Sequence, residues 1–542
     1  MDEHDERALH WADSAAEKII RERGEKQPYV CASGITPSGT VHIGNFREII
    51  SVELVVRALR DRRKTVRFIY SWDDYDVFRK VPDNMPNRDE LAKYLRMPIT
   101  MVPDPHQASE PATSERNYAR SNEREIEALL PLVGVHPEYL YQAERYRSSL
   151  YAAGIRTALE KRDAIRAILD EHRTEPLPSD WLPVSIFCTR CNHDSTTIEQ
   201  WDEAWALSYR CTNCGNAETV DLRKSGAVKL LWRVDWPMRW KAEGVDFEPA
   251  GKDHHSEGGS FDTAKRIVQA VYDGAPPVTF QYDFIGIKGM GGKISSSHGE
   301  VISLREVLEV YQPEVVRYLF AGPRPNTEFA ISFDLDVIKI YEDYDKTERI
   351  YFGKEEVEEK RRQKEARIYE LSQVAEVPKA MALQVPFRHL CNLLQIHLGD
   401  IDRVVDELAA SGEGSRGDEG FDVAARERLR VRARCAWSWI TKHAPADFRF
   451  SLRTPEEAPV ALEEGARRAV SLLRARVERL DSFDEKSLAD ELYTIAGEAG
   501  IDPKELFKAS YRVLIGAERG PRLASFILTV GKERVLALLA PY

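Results

Sequence analysis

No uninterrupted apolar run in this chain approaches the roughly 20 residues a membrane helix needs, which excludes a helical membrane protein. Cysteine is scarce. Seven occur among 542 residues, too few and too unevenly placed for a disulfide framework. Positive charge is outnumbered, with 77 lysines plus arginines against 89 aspartates plus glutamates and a formal charge of −12. A nucleic-acid partner would therefore be held by local basic patches on an acidic body. The opening residues, Met1-Asp2-Glu3-His4-Asp5-Glu6, are acidic where a secretory leader would be basic and then apolar. What is present is 43% hydrophobic and 31% charged, a globular composition, in a length suited to roughly three or four domains. The expected setting is a reducing cytoplasm.

Along the chain, residues 5–24 read as a lead-in helix. Tyr29-Val30-Cys31-Ala32 has a buried-strand pattern, and Ser33 to Thr40 is a Gly/Ser/Pro turn cluster. Ile43, Phe46, Ile49, Ile50, Leu54 and Leu59 then recur at helical spacing over 43–60, before a strand at Thr65 to Tyr70. This β-turn-α-β order opens a parallel α/β sheet. The rhythm stops near residue 100 and returns near 226, with strands expected at Asp246 to Ala250 and Phe280 to Ile287. An insert thus splits one α/β domain. Beyond 340 the pattern is amphipathic helix, broken by a Gly/Ser/Asp-rich linker from Gly412 to Gly420. The expected borders are 1–100 and 226–290 for the two α/β halves, 101–225 for the insert, 291–345 for a loop with linking helices, and 346–542 for a helical region.

Three signals carry chemistry. The turn Pro37-Ser38-Gly39-Thr40-Val41-His42-Ile43-Gly44-Asn45 enters a helix, whose N-terminus suits a phosphate through unpaired N–H groups and its dipole. Gly39 and Gly44 permit close approach, and His42 and Asn45 sit on the rim. The plain alternative is a helix start capped by Thr40. The second signal, Lys288 to Ser297, follows the 280–287 strand directly, with Lys293 and the hydroxyls of Ser295, Ser296 and Ser297 in a glycine-rich loop able to close on an anion. A flexible surface turn would look the same. The third, Cys188-x2-Cys191-x19-Cys211-x2-Cys214, has the spacing of a tetrahedral four-thiolate zinc site. Four core cysteines or two disulfides are the alternatives. Such a site is closed, so its zinc would be structural, and His193 is surplus to it.

Together these motifs resemble the class I aminoacyl-tRNA synthetases, with His42-Ile43-Gly44-Asn45 similar to their HIGH signature and Lys293 to Ser297 similar to their KMSKS loop. Ser33 to Gly39, Trp72-Asp73-Asp74-Tyr75-Asp76, Arg233-Val234-Asp235-Trp236-Pro237, Gly251-Lys252-Asp253-His254 and Gly258-Gly259-Ser260 narrow the likeness to the class I lysyl-tRNA synthetases. Asn45 and Ser296 depart from the general class but look normal for this subgroup. Some relatives look to hold a second metal near 104–120; this chain keeps Asp104 and His106 but has no cysteine between 32 and 187, and a second metal is not expected.

The resemblance implies a Rossmann-type domain split by a zinc-containing insert, followed by an all-α anticodon-binding region. It implies lysine activation by ATP with magnesium, then transfer to the 3′ end of tRNA(Lys), with release of pyrophosphate and AMP. Catalysis is implied at His42, Asn45, Lys293 and Ser295 to Ser297. ATP is implied on Thr36, Pro37, Gly39, His42, Gly44, Asn45 and Lys293. Lysine is implied at the strand ends, on Gly34, Thr36, Asp73, Asp74, Trp236, Asp253 and His254, with Trp236 either on the four-carbon stem or simply in the core. The acidic residues are equally readable as loop caps. A monomer with no membrane partner is expected. Basic stretches at Lys360 to Lys364, Arg426 to Arg434 and Arg467 to Arg476 are candidate tRNA contacts or solvated helix faces. A different class I synthetase, or a non-charging tRNA-binding relative, is the rival reading.

Overall fold

A computed structural model describes residues 10–289, 301–381, 383–411 and 423–542. The first helix, α1 (Trp11–Arg23), begins at a His10 cap whose ring accepts the Ala12 N–H; the expected start at residue 5 lies outside the described residues. Strand β1 (Tyr29–Ile35), helix α2 (Ile43–Asp61) and strand β2 (Val66–Trp72) follow the expected order. The two strands are parallel, with Gly34 opposite Ser71. A Cβ at Gly34 would sit 2.6 Å from the Ser71 carbonyl oxygen, so only glycine fits there.

The third strand corrects the sequence reading. β3 (Glu138–Tyr141) pairs parallel to β2, inside the span expected to be pure insert. It is led in by α3 (Tyr118–Leu129) and followed at once by α4 (Gln142–Arg147). On the other side of β1 the sheet continues through parallel bridges from Cys31 to Phe247 and from Phe247 to Val278. The spatial order is therefore 138–141, 66–72, 29–35, 246–251, 278–282, the doubly wound arrangement in which ligands bind beyond the carboxyl ends of the strands.

The insert proper begins after α4. β4 (Val184–Ile186) pairs antiparallel with β8 (Val228–Leu230), and β5 (Thr196–Trp201), β6 (Ala206–Cys211) and β7 (Ala217–Asp221) form an antiparallel meander. It is not a separate core. Phe187, Leu207 and Tyr209 belong to the same buried cluster as Val30 and Ile69 of the sheet and Trp236 and Trp240 of α5 (Trp232–Glu243).

Two further expectations are corrected. The strand at 246–250 reduces to β9 (Ala250–Gly251) plus the Phe247 bridges. The strand at 280–287 breaks into β10 (Gln281–Tyr282), paired with β9, and β11 (Ile285–Ile287), paired with β12 (Phe329–Ile331). Between β9 and β10 runs α6 (Ser260–Tyr272). The break follows from a change of partner at Asp283-Phe284, where the Asp283 N–H donates to the Pro325 carbonyl.

The chain forms two compact units. The first takes residues up to Val307 with Pro313–Ile331 and Val357–Val377; the second takes Leu308–Gln312, Ser332–Glu356 and Pro378–Tyr542. The polypeptide thus changes unit several times around the single border expected at 345/346. The second unit is helical among its described residues, as expected, with a core built on helices such as 464–477, 485–499 and 503–515. The Gly412 to Gly420 linker lies outside the described residues. No described helix is long and apolar enough to cross a membrane.

Candidate functional site

Helix α2 starts on a reciprocal cap. The His42 Nδ1 accepts the Gly44 N–H at 3.1 Å, and the Asn45 Oδ1 accepts the His42 N–H at 3.2 Å. The cap is therefore His42, not Thr40. Gly44 is required by this geometry, because a Cβ there would lie 2.9 Å from the His42 ring. The next N–H, of Ile43, donates to the Ile302 carbonyl at 2.8 Å, and His42 bridges Ser303. The expected supply of unpaired N–H groups is thus largely taken up by the protein itself. What remains is the helix dipole. With Nδ1 accepting, a neutral His42 ring carries its proton on Nε2 and is a donor there.

Lys293, Ser295, Ser296 and Ser297 lie outside the described residues. Their flanks do not. The Lys288 N–H donates to the Ile331 carbonyl, and Ile302-Ser303 sits against His42-Ile43, so residues 302–303 lie beside the α2 N-terminus. Pro37 and Gly39 are buried in the loop between β1 and α2, and the Thr36 hydroxyl donates to Asp76 at 2.8 Å.

Beyond the strand ends lies a cavity of about 80 Å3 lined by Gly34, Asp73, Trp236 and His254, and also by Glu48, Arg239, Trp240 and Glu248. Four of the seven predicted amino-acid residues meet there. Asp73 is not free to receive a cation, because Arg239 holds it at 2.6 Å. Asp74 points elsewhere: its carboxylate accepts the Ala143 N–H at 2.8 Å, capping α4. Burial raises Asp74 to about 7. Thr36 and Asp253 do not line this cavity either. His254 bonds the Ser260 hydroxyl at 2.6 Å, and Trp236 stacks on Trp232 with ring centres 5.0 Å apart.

Two further carboxylates that line it, Glu48 and Glu248, were not singled out in the sequence. Glu248 accepts from the Trp236 indole at 3.1 Å and the Trp240 indole at 2.6 Å. Glu48 accepts from the Ser33 hydroxyl, the Gly34 N–H and the Tyr282 hydroxyl. Neither makes an ion pair among the described residues. Burial, reinforced by the nearby Glu48 charge, raises Glu248 to about 7, and burial likewise raises Glu48. Enclosed carboxylates held only by neutral donors are costly when ionised, and a bound cation removes that cost. The signal for Glu248 was visible as an acid between Phe247 and Pro249 in an expected buried strand. Glu48 carried none.

Cys188, Cys191, Cys211 and Cys214 meet as predicted, with all four sulfurs within 4.8 Å of one another. The separations Cys188–Cys214 of 3.7 Å and Cys191–Cys211 of 3.6 Å match the edge of about 3.8 Å set by tetrahedral zinc–sulfur bonds of about 2.3 Å. The donor set therefore fits a zinc ion. Asp104 forms a local turn, accepting the His106 N–H.

The family tRNA synthetases class I (K) matches residues 9–375. The chain belongs to this family. It is 54% identical to a lysine--tRNA ligase of Treponema pallidum over 99% of both chains. It is 51% identical to one of Borreliella burgdorferi over 99% of this chain and 100% of that one. It is 43% identical to one of Thermococcus kodakarensis over 98% of this chain and 99% of that one. As a class I tRNA synthetase it takes ATP, an amino acid and tRNA as substrates.

Proposed function

We propose that the protein is a lysine--tRNA ligase, and that the cavity beyond β1 and β2 is its amino-acid pocket. The observation that carries this reading is the Glu48/Glu248 pair: two carboxylates held by neutral donors, with no ion pair among the described residues, in a cavity also lined by three tryptophans. Lysine brings two ammonium groups and an alkyl stem. The carboxylates supply the charge, and Trp232, Trp236 and Trp240 supply apolar faces for the stem. Asp73 acts one step back by fixing Arg239, and Asp74 by capping α4. His254 lines the cavity, and Asp253 precedes it in the chain.

ATP with magnesium occupies the α2 N-terminus, where Thr36, Pro37, Gly39 and Gly44 shape the floor. His42, through Nε2, Asn45 and Lys293 meet the phosphates, and Ser295 to Ser297 close the loop. The lysine carboxylate attacks the α-phosphorus, and pyrophosphate leaves. Phosphoryl transfer of this kind needs positioning and charge stabilisation rather than a covalent side chain, so these residues suffice. The lysyl group then passes to the tRNA terminus. The four cysteines hold one structural zinc, which fixes the two knuckles of the meander and takes no part in the chemistry. Chelation in solution would test that part.

The test is pyrophosphate exchange with each of the twenty amino acids, with and without tRNA. Lysine is expected to give the largest rate, tRNA to be required, and norleucine, which lacks the charge, to be rejected. Exchange with another amino acid in preference to lysine would overturn the reading.

A further inference from the structure

A cavity of about 550 Å3 lies in the α/β unit between the start of α1 and the outer edge of the sheet, with Trp11, Lys18, Phe247, Phe280 and Arg324 in its walls. Its volume is in the range of pockets that hold small molecules. It shares no residue with the cavity of Glu48 and Glu248, and none with the residues given to ATP. A smaller hollow of about 210 Å3 adjoins it, sharing His10, Trp11 and Arg324 and adding Lys360 and Lys364. All of these residues belong to the first compact unit.

The walls combine aromatic rings with unanswered positive charge. Trp11 meets Phe280 edge-on with ring centres 5.6 Å apart, and Phe280 lies 5.4 Å from Phe247. No carboxylate lines either hollow. Arg324, Lys360 and Lys364 are exposed, Lys18 is half-buried, and none of the four makes an ion pair among the described residues. Their neighbours do. On the helix Glu359–Ser372, Arg362 pairs with Glu359 at 2.8 Å and Arg361 with Glu365 at 3.7 Å. The basic stretch from Lys360 to Lys364 therefore divides: its arginines are spent along their own helix, and its two lysines, four residues apart on one face, meet Arg324. The positive end of the α1 dipole adds to them. His10 contributes wall and not charge, since its Nδ1 accepts the Ala12 N–H and its Nε2 bonds the Ala321 carbonyl at 2.8 Å. The segment carrying Arg324 is fixed in place, because the buried Arg47 of α2 donates to the Pro325 carbonyl and, at 3.0 Å, to the Thr327 carbonyl.

We propose that the two adjoining hollows bind a nucleoside polyphosphate, at a place separate from the ATP of the reaction. The base lies against Trp11 and Phe280, and the phosphates lie on Arg324, Lys360 and Lys364. Bare phosphate would leave the rings unused, and an uncharged aromatic molecule would leave the cations unanswered. A ligand with a planar ring at one end and several negative charges at the other uses both.

The test is photolabelling of the full-length protein with an azido-ADP probe, with the modified peptides identified by mass spectrometry. Besides labelling of the catalytic nucleotide site, modification is expected within residues 11–18 or 322–326, and excess ADP should abolish it. Arg324→Ala combined with Lys364→Ala should raise the half-saturating concentration for that modification about tenfold, the scale of losing charge-assisted hydrogen bonds to phosphate. Labelling of the catalytic peptides should not change in this variant. Inorganic triphosphate, which carries the charge without the base, should compete about tenfold less well than ADP. Deleting residues 2–6, the acidic opening of the chain, should leave the half-saturating concentration unchanged. Labelling confined to the catalytic peptides would overturn the proposal, as would parental labelling in the double variant. So would triphosphate competing as well as ADP, which would make this a site for bare anions, or a single-stranded oligonucleotide competing better than ADP, which would give it to RNA. Much tighter labelling after the deletion would make the acidic segment the occupant, and would overturn the proposal too.

Discussion

Two pairs of carboxylates, one in each unit, are enclosed by protein and treated in opposite ways. In the helical unit Asp345 is held by Arg432 at 2.6 Å and Glu348 by Arg428 at 2.9 Å. In the α/β unit Glu48 and Glu248 have only neutral donors. The first pair is complete within the chain; its guanidinium groups join helix 423–442 to helix 336–351. The second is incomplete until a cation arrives. Burial alone does not mark a site, since both pairs are buried or partly so. The absence of a direct ion pair among the described residues does, since the nearby Arg239 is engaged by Asp73. Three arginines of the basic stretches are likewise paired, Arg426 on Asp406, Arg430 on Asp402, and Arg476 on Glu491 and Glu498.

The cysteine tetrad is the extreme case of side chains that call for a cation, four potential thiolates within 4.8 Å of one another. The largest expected effect is therefore its disruption. Chelation or Cys211→Ser should remove on the order of 10 kcal/mol of metal-linked folding energy from the meander, and elemental analysis of the parent should find one zinc per chain. Two per chain would revive Asp104 and His106, and none would leave the tetrad without a metal.

Next comes the complete pair. Asp345→Asn strands Arg432 in a buried site and should cost about 3–5 kcal/mol in denaturant unfolding. A loss under about 1 kcal/mol would make the pair ornamental. At the capped helix, His42→Ala should cost only about 1 kcal/mol of stability, the worth of a cap. It should lower kcat for activation by about 10²–10³, the loss of one transition-state donor. Activity falling only in step with stability would reduce His42 to its cap.

The smallest effect is on pH dependence. A carboxyl raised in the folded state binds more protons folded than unfolded. Its contribution to stability is therefore greatest below the unfolded value and declines as pH rises. For Glu248 the window runs from 4.5 to about 7. Without ligand, stability should fall across it by on the order of 2 kcal/mol, and Glu248→Gln should flatten the fall. Lysine binding should strengthen over the same window. A slope unchanged in Glu248→Gln would place the titration elsewhere.

What was legible in the sequence was what is local. β1, α2 and β2 were read to within about three residues because their periodicity is uninterrupted, and the cysteine knuckles because their spacing is fixed by coordination. β3 was missed because four residues, Glu138-Tyr139-Leu140-Tyr141, offer no periodicity of their own. The 280–287 strand was read as one because a change of pairing partner leaves no mark in a hydrophobic run. Asp73 and Asp74 drew attention as an exposed-looking acidic pair, yet Arg239 and the Ala143 N–H that claim them lie far along the chain. Glu48 reads as an ordinary helix residue. Its role depends on Ser33, Gly34 and Tyr282, which only the fold brings together.

The central claim is that the incomplete pair is the site and the complete pair is scaffold. It is tested most directly by lysine-dependent pyrophosphate exchange in the presence of tRNA, measured side by side for the parent, Glu248→Gln and Asp345→Asn at a temperature where all three are folded. Glu248→Gln should lose about 10²–10³ in kcat/KM for lysine, the cost of leaving an ammonium without its partner, while Asp345→Asn keeps the parental rate. Parental exchange in Glu248→Gln, or a comparable loss in both variants, would contradict the account.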